Sequence, residues 1–190
     1  MREVEVKRRI SEEQYEPVGN VVVQEDTILG PPGYDVRTLD PEVFLLRIRV
    51  TPEGVKLNAK SKGSYGVARE YETFVGDAEQ ARRIIEATGF VVLLRFRKER
   101  SERVVDGDTL CMDRVEGLGC FVELERLIPE DEDADAVSEA LEAKLDALGY
   151  MGERITKGYE MLLVELDEPV VTSCLVSRLA NYRHARCSAA

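Results

Sequence analysis

The first part of the chain alternates apolar and polar residues with a period of two, which puts successive side chains on opposite faces of a strand. Residues 2–10 set Val4 and Val6 against Glu3, Glu5 and Lys7. Residues 21–28 and 43–50 repeat the pattern; in the latter Phe44, Leu46, Ile48 and Val50 oppose Arg47 and Arg49. Between them, Leu29–Pro41 carries a GPPG run and an Asp-Pro step and reads as a loop. Short strands are predicted over 55–60 and 69–74, the second with Glu70 and Glu72 on one face. The period then changes. Asp77 can cap a helix with Gln80 three residues on, Ala78, Ala81, Ile84 and Ile85 form its stripe, and Gly89 can close it. Strands resume at 90–100, 109–115 and 120–127, the last two joined by a Glu116-Gly-Leu-Gly119 turn. A second helix is predicted over 131–148. A third is predicted to be capped by Thr156 and ended by Pro169, and a last one runs over 172–184. About eight strands and three or four helices without strict βαβ alternation give an α+β class, with a mostly antiparallel sheet or barrel. LLRIR (45–49) and LLRFR (93–97) hint at an internal duplication.

Composition narrows the picture. The chain has 190 residues, is 44% hydrophobic and 33% charged, and carries a net charge of −11. That is ordinary globular material for one domain, or one plus an appendage. The longest uncharged run, Pro169–Ser177, is far too short for a membrane span, and the charged residues at 2–7 rule out a signal-peptide core. No membrane association and a cytoplasmic location are therefore expected. The acidic balance argues against a general nucleic-acid binder. Cys111, Cys120, Cys174 and Cys187 contain no C-x-x-C pair and read as reduced thiols, although Cys111 and Cys120 flank a hairpin turn and could approach each other. His184 is the only histidine and lies in a polar C-terminal stretch. Catalysis would therefore use carboxylates, Lys and Arg, or a metal.

The anomaly lies on the polar strand faces. They hold like-charged pairs: Glu3/Glu5, Arg47/Arg49, Glu70/Glu72, Lys98/Arg100 and Glu123/Glu125. Such pairs sit about 7 Å apart and repel. Facing solvent, they would be cheaply screened. Facing inward, they would line a polar barrel cavity, with carboxylates suited to Mg²⁺ or Mn²⁺ and cations suited to phosphate oxygens. On β-periodicity alone, Arg95 and Arg97 fall on the face opposite Lys98 and Arg100, so both pairs cannot point inward without a bulge.

The ordered set EVEVK (3–7), QED (24–26), LLRIR (45–49), LNAKSKG with Lys60, REYE (69–72), ATGF (87–90), Lys98-x-Arg100, MDRVEGLGCFVELE (112–125) and TKGYEMLL (156–163) resembles the CYTH superfamily, the triphosphate tunnel metalloenzymes. The GLG-x-F-V-E-x-E block is most similar to the class IV adenylyl cyclases. The resemblance spans residues 2–166 and implies an eight-stranded antiparallel β-barrel, a triphosphate tunnel with flanking helices, as one domain over 1–166. Residues 167–190 would be a helical extension packed on it. It implies two Mg²⁺ or Mn²⁺ ions on Glu3, Glu5, Glu72, Asp113, Glu123 and Glu125, with Glu3, Glu5, Asp113 and Glu123 catalytic. It implies a triphosphate gripped by Lys7, Arg47, Arg49, Lys60, Lys98 and Arg100, with Arg69 a further member. A homodimer is also implied.

Three departures from the family pattern stand out. Only 11–20, with Pro17 and Gly19, is available for the helix that follows the first strand in relatives. Thr27-Ile28 and Arg103 replace aromatic residues. Residues 167–190 extend past the resemblance. The favoured expectation is adenylate cyclase, ATP to cyclic AMP and pyrophosphate. The alternatives are a thiamine triphosphate or tripolyphosphate hydrolase, and a non-catalytic nucleotide or polyphosphate-binding module.

Overall fold

A computed structural model describes residues 1–38, 40, 42–61 and 67–167. Its elements are β1 (Arg2–Ile10), β2 (Val22–Gly30), β3 (Phe44–Thr51), β4 (Gly54–Ser61), β5 (Val67–Ala68), β6 (Glu70–Val75), α1 (Ala78–Ala87), β7 (Val91–Val105), β8 (Asp108–Val115), β9 (Gly119–Ile128), α2 (Ala134–Ala147), β10 (Glu153–Ile155) and α3 (Tyr159–Asp167). All pairings are antiparallel, in the order β10-β1-β9-β8-β7-β2-β3-β4-β6. β5 returns to β1 through Glu3↔Ala68 and Val4↔Val67, so the curled sheet meets itself along one short seam. The predicted strand at 69–74 is β6, which begins at Glu70 and pairs with β4, and a two-residue strand the sequence reading did not predict, β5, precedes it and pairs with β1.

Burial decides which strand face points where. The apolar faces of β1, β8 and β9 (Val4, Val6, Ile10, Leu110, Met112, Val122, Leu124) lie under Val137, Leu141 and Leu145 of α2. Leu29 and Ile48 lie under Ala81 and Ile85 of α1. The helices therefore cover the outside of the sheet, where apolar burial contributes about 25 cal/mol per Å². By alternation, the charged faces turn inward. Asp77 caps α1 as predicted, accepting from the Gln80 N–H at 2.7 Å. α2 starts at Ala134 rather than 131, because Asp133 supplies its cap.

Two strand boundaries differ from the sequence reading for a clear reason. β7 runs to Val105 and β8 begins at Asp108, because Asp106-Gly107 forms a two-residue turn with φ of 48° and 86°. That positive-φ pair is the preferred hairpin connection. Residues 11–20 form turns and no helix. Cys111 and Cys120 do not approach each other: they oppose Glu123 and Arg114 in the β8–β9 register, and both are free thiols. No described helix is long and apolar enough to cross a membrane. The predicted Pro169 stop, the 172–184 helix, Cys174, His184 and Cys187 lie outside the described residues, as does the 167–190 extension apart from Asp167.

Candidate functional site

Inside the curled sheet is a cavity of about 310 Å³. Glu3, Glu5 and Lys7 enter it from β1, Arg47 and Arg49 from β3, Asn58 and Lys60 from β4, and Glu70 and Glu72 from β6. Lys98 and Arg100 enter from β7, and Glu123 and Glu125 from β9. Its apolar part is formed by Ile28, Leu45, Phe96 and Met161, with Tyr159 at the start of α3. Interleaved carboxylates and cations thus share one space.

β7 resolves the conflict between its two basic pairs. Lys98 is 4% exposed and shares the inner face with Phe96 and Arg100, whereas Arg95 and Arg97 face outward. The register shift against β2 falls at Ile28/Leu29, where Leu93 is the extra residue. It therefore lies before both basic pairs and does not have to re-aim either.

Each inward charge is met by its opposite. Lys7 Nζ lies 3.0 Å from Glu5 and 2.8 Å from Glu123. Lys60 reaches Glu3 at 2.8 Å, Glu5 at 3.4 Å and Glu70 at 3.5 Å. Arg47 donates to Glu70 at 3.0 Å, and Asn58 donates to the same carboxylate. Arg49 forks onto Asp26 at 2.8 and 2.7 Å. Arg100 meets Glu125 at 3.1 Å and also pairs with Glu123. Asp113 is fully buried behind the lining. It accepts from Lys98 at 2.9 Å, from Arg100 at 2.7 and 2.6 Å, and from the Tyr159 hydroxyl at 2.9 Å.

These pairings set the protonation states. Burial pushes the Glu5 carboxyl up, but Lys7 and Lys60 outweigh it and hold it down to about 2. Burial likewise disfavours the Lys7 ammonium, yet Glu123 and Glu5 keep it charged above its ordinary value. Glu123 falls well below the carboxylate range, because Lys7, Arg100 and Lys98 overcome its burial. Lys98 is lowered by burial and by Arg100, against the pull of Asp113. Glu125 moves the other way. Burial, opposed by Arg100 and reinforced by Glu123, Glu3 and Glu5, pushes it up to about 7.

The donor set around Glu125 fits a hard divalent ion. Glu5 and Glu125 are direct neighbours in the β1–β9 register, with Lys7 opposite Glu123 one step along the inner face. Carboxylate oxygens are the ligands that Mg²⁺ and Mn²⁺ take. Among the described residues no three such groups already stand in metal-binding array, since each is turned to a cation. A metal on Glu3, Glu5, Glu123 and Glu125 would displace Lys7, Lys60 and Arg100 from carboxylate to phosphate partners.

Of the sequence-selected residues, Glu3, Glu5, Lys7, Arg47, Arg49, Lys60, Glu72, Lys98, Arg100, Glu123 and Glu125 line the one cavity. Glu72 pairs at 2.8 Å with Lys56, which is not among the lining residues. Asp113 stands behind the lining. Arg69 is exposed at the β5–β6 break and is not among the lining residues. Sequence reasoning did not select Asp26, Asn58, Phe96 or Tyr159. Asp26 and Phe96 could have been found by carrying the period-two rule from Ile28 and Lys98. Asn58, flanked by Lys56 and Lys60 at the same period, was equally legible. Tyr159 enters from a helix, where no strand rule applies.

A family model described as the CYTH domain matches residues 1–159. A Methanocaldococcus jannaschii protein named putative adenylate cyclase MJ0240 is 31% identical over 173 residues, covering 83% of this chain and 95% of its own. A solved Pyrococcus horikoshii structure, the PH1819 protein, is 27% identical with a TM-score of 0.71, covering 86% of this chain and 99% of its own. A solved Hippeastrum protein, described as a putative adenylyl cyclase with a dominant triphosphatase activity, is 19% identical with a TM-score of 0.58, covering 89% of this chain and 97% of its own.

Proposed function

The chain belongs to the CYTH domain family, and from that premise we propose that it is a divalent-metal-dependent adenylate cyclase, converting ATP to cyclic AMP and pyrophosphate. The observation that carries the reading is the cavity with cationic and carboxylate side chains and an adjoining apolar end of Ile28, Leu45, Phe96 and Met161. The charged part suits a metal–triphosphate complex, and the apolar end suits the organic group attached to it. The Methanocaldococcus jannaschii relative supports the cyclase assignment.

In this reading the triphosphate lies in the cavity. Arg47 and Arg49 grip phosphate oxygens with planar forks, and Lys7, Lys60, Lys98 and Arg100 supply further positive charge. Glu3, Glu5, Glu123 and Glu125 would hold Mg²⁺ or Mn²⁺, which would make the ribose 3′-hydroxyl more acidic and screen phosphate charge. The 3′-oxygen forms its bond to the α-phosphorus as the bond to the bridging β-phosphate oxygen breaks. The hydroxyl proton leaves to a cavity carboxylate or water, and pyrophosphate departs with its charge held by the Lys and Arg side chains.

The second reading is hydrolysis of a triphosphate by water at its terminal phosphorus. The activity described for the Hippeastrum protein favours it, and so does the Thr27-Ile28 step, where the family resemblance implies an aromatic and Ile28 lines the apolar part of the cavity. Product analysis separates the readings. The protein is incubated with Mg²⁺ or Mn²⁺ and with ATP, thiamine triphosphate or tripolyphosphate in turn. Cyclic AMP with pyrophosphate is expected from ATP. Orthophosphate without cyclic AMP would replace the cyclase by a triphosphatase. Metal-dependent binding without any turnover would replace both by a binding module.

A further inference from the structure

Cavity-facing glutamates and buried aspartates differ in what their oxygens touch. Asp113 is 0% exposed and does not line the cavity. Its Oδ2 accepts from Lys98 Nζ, an Arg100 terminal nitrogen and the Tyr159 hydroxyl, and its Oδ1 accepts from Arg100 Nε. Four donors nearly exhaust the lone pairs of one carboxylate. A dication reaching it would have to stand against both Lys98 and Arg100, with like charges at close range in a low-dielectric interior. Tyr159 completes the arrangement. Its ring lies 4.3 Å from Lys7 Nζ and 5.1 Å from Lys98 Nζ, and is itself wedged edge-on by Phe121 at 5.0 Å and Phe96 at 6.4 Å. One hydroxyl and one ring thus connect α3 to β1, β7 and β8.

We propose that Asp113 and Tyr159 are positioning residues that hold Lys98, Arg100 and Lys7 in place for the triphosphate, and that Asp113 is not a metal ligand. The inference rests on the triphosphate reading above and deepens it. Geometry gives the reason such a device is needed. Lysine and arginine stems have many rotamers, and a phosphate grip gains affinity when their heads are fixed before the ligand arrives. Asp26 fixes Arg49 in the same manner by a two-point fork.

Isothermal calorimetry with Mn²⁺ alone and with inorganic tripolyphosphate alone tests this on the full chain. In Asp113→Asn the Mn²⁺ affinity stays as in wild type, while tripolyphosphate binding weakens by about tenfold. Tyr159→Phe retains the ring and loses only the hydroxyl. It weakens tripolyphosphate by about threefold, still without touching Mn²⁺. Tyr159→Leu, which also removes the ring, weakens it further. If Asp113→Asn lowers Mn²⁺ affinity, Asp113 is a ligand and the proposal is overturned while the functional reading stands. If both variants melt earlier yet bind tripolyphosphate normally when folded, the pair is only structural and the proposal is again overturned. Should Asp113→Asn fail to fold, Tyr159→Phe separates positioning from a structural role in the same way. Absence of both Mn²⁺ and tripolyphosphate binding in wild type would instead remove the functional reading and this inference with it.

Discussion

Two charged regions share the interior of this sheet and are built on opposite terms. Around Asp113, one carboxylate faces four donor contacts, and burial is matched by saturation. Around Glu125, one carboxylate meets Arg100 in the company of Glu123, Glu3 and Glu5, and its pKa is pushed up to about 7. The first region is complete as it stands. The second sets burial and neighbouring carboxylates against one arginine, and under the proposed function a divalent cation would balance it. A protein can bury many ions without collapse if most are neutralised locally and the imbalance is confined to one corner.

Substitutions can break this contrast. The largest effect is expected from Asp113→Ala, which strands Lys98, Arg100 and the Tyr159 hydroxyl in a dry interior. Breaking a buried network from one side costs about 3–5 kcal/mol, read as a lower urea midpoint. A neutral effect would show that water enters freely behind the lining. Next comes Glu123→Gln, which removes a carboxylate shared by Lys7 and Arg100. Turnover is expected to fall by about 10²-fold with the fold retained, measured as the initial rate with Mn²⁺ and substrate saturating. Unchanged turnover would take Glu123 out of the chemistry.

Glu125 carries the opposite sign. Its folded pKa, about 7, is above the ordinary glutamate value of 4.5. Its stabilising contribution is therefore fully present below pH 4.5, declines as pH rises, and is lost above 7. Glu125→Gln should then raise the stability of the metal-free protein at pH 8 by on the order of 1 kcal/mol and change it little at about pH 4.5. Thermal melts at the two pH values check this. Metal affinity should move in the other direction, strengthening as pH rises through about 7 because the carboxyl must lose its proton to ligate. Calorimetric titration at about pH 6 and pH 8 reads it, and a pH-independent affinity would exclude Glu125 from the metal shell. The smallest effect belongs to Lys56, paired with the half-exposed Glu72. Lys56→Ala should cost less than about 0.5 kcal/mol in the same melts.

How much of this was legible in the sequence depended on the range of the rule applied. Period-two alternation put Glu3, Glu5, Arg47, Arg49, Glu123 and Glu125 on shared polar faces, but that those faces point inward is seen only once two helices cover the apolar ones. It could not choose between Arg95/Arg97 and Lys98/Arg100. That choice depends on which face of β7 meets Tyr159 and the Lys7 side of the cavity. The local Asp106-Gly107 signal was present, although the predicted strands stopped short of it. The role of Asp113 was not legible, since a carboxylate reads the same on paper whether it looks into a cavity or at two cations. Tyr159 was visible only as part of a motif, for its partners lie on four strands distant in sequence. The short β5 ahead of β6 is likewise a tertiary matter, set by its pairing with β1.

The seam between β5 and β1 has a mechanical consequence. β1 is joined to β9 by nine residue pairs, but to β5 by two. A tube fastened so unequally behaves as a cuff, stiff around most of its circumference and easily parted along one line. The amides of Val67 and Ala68 are then the place for the fastest hydrogen exchange in the sheet, and parting there exposes Glu3 and its neighbours without disturbing the layers beneath α1 and α2.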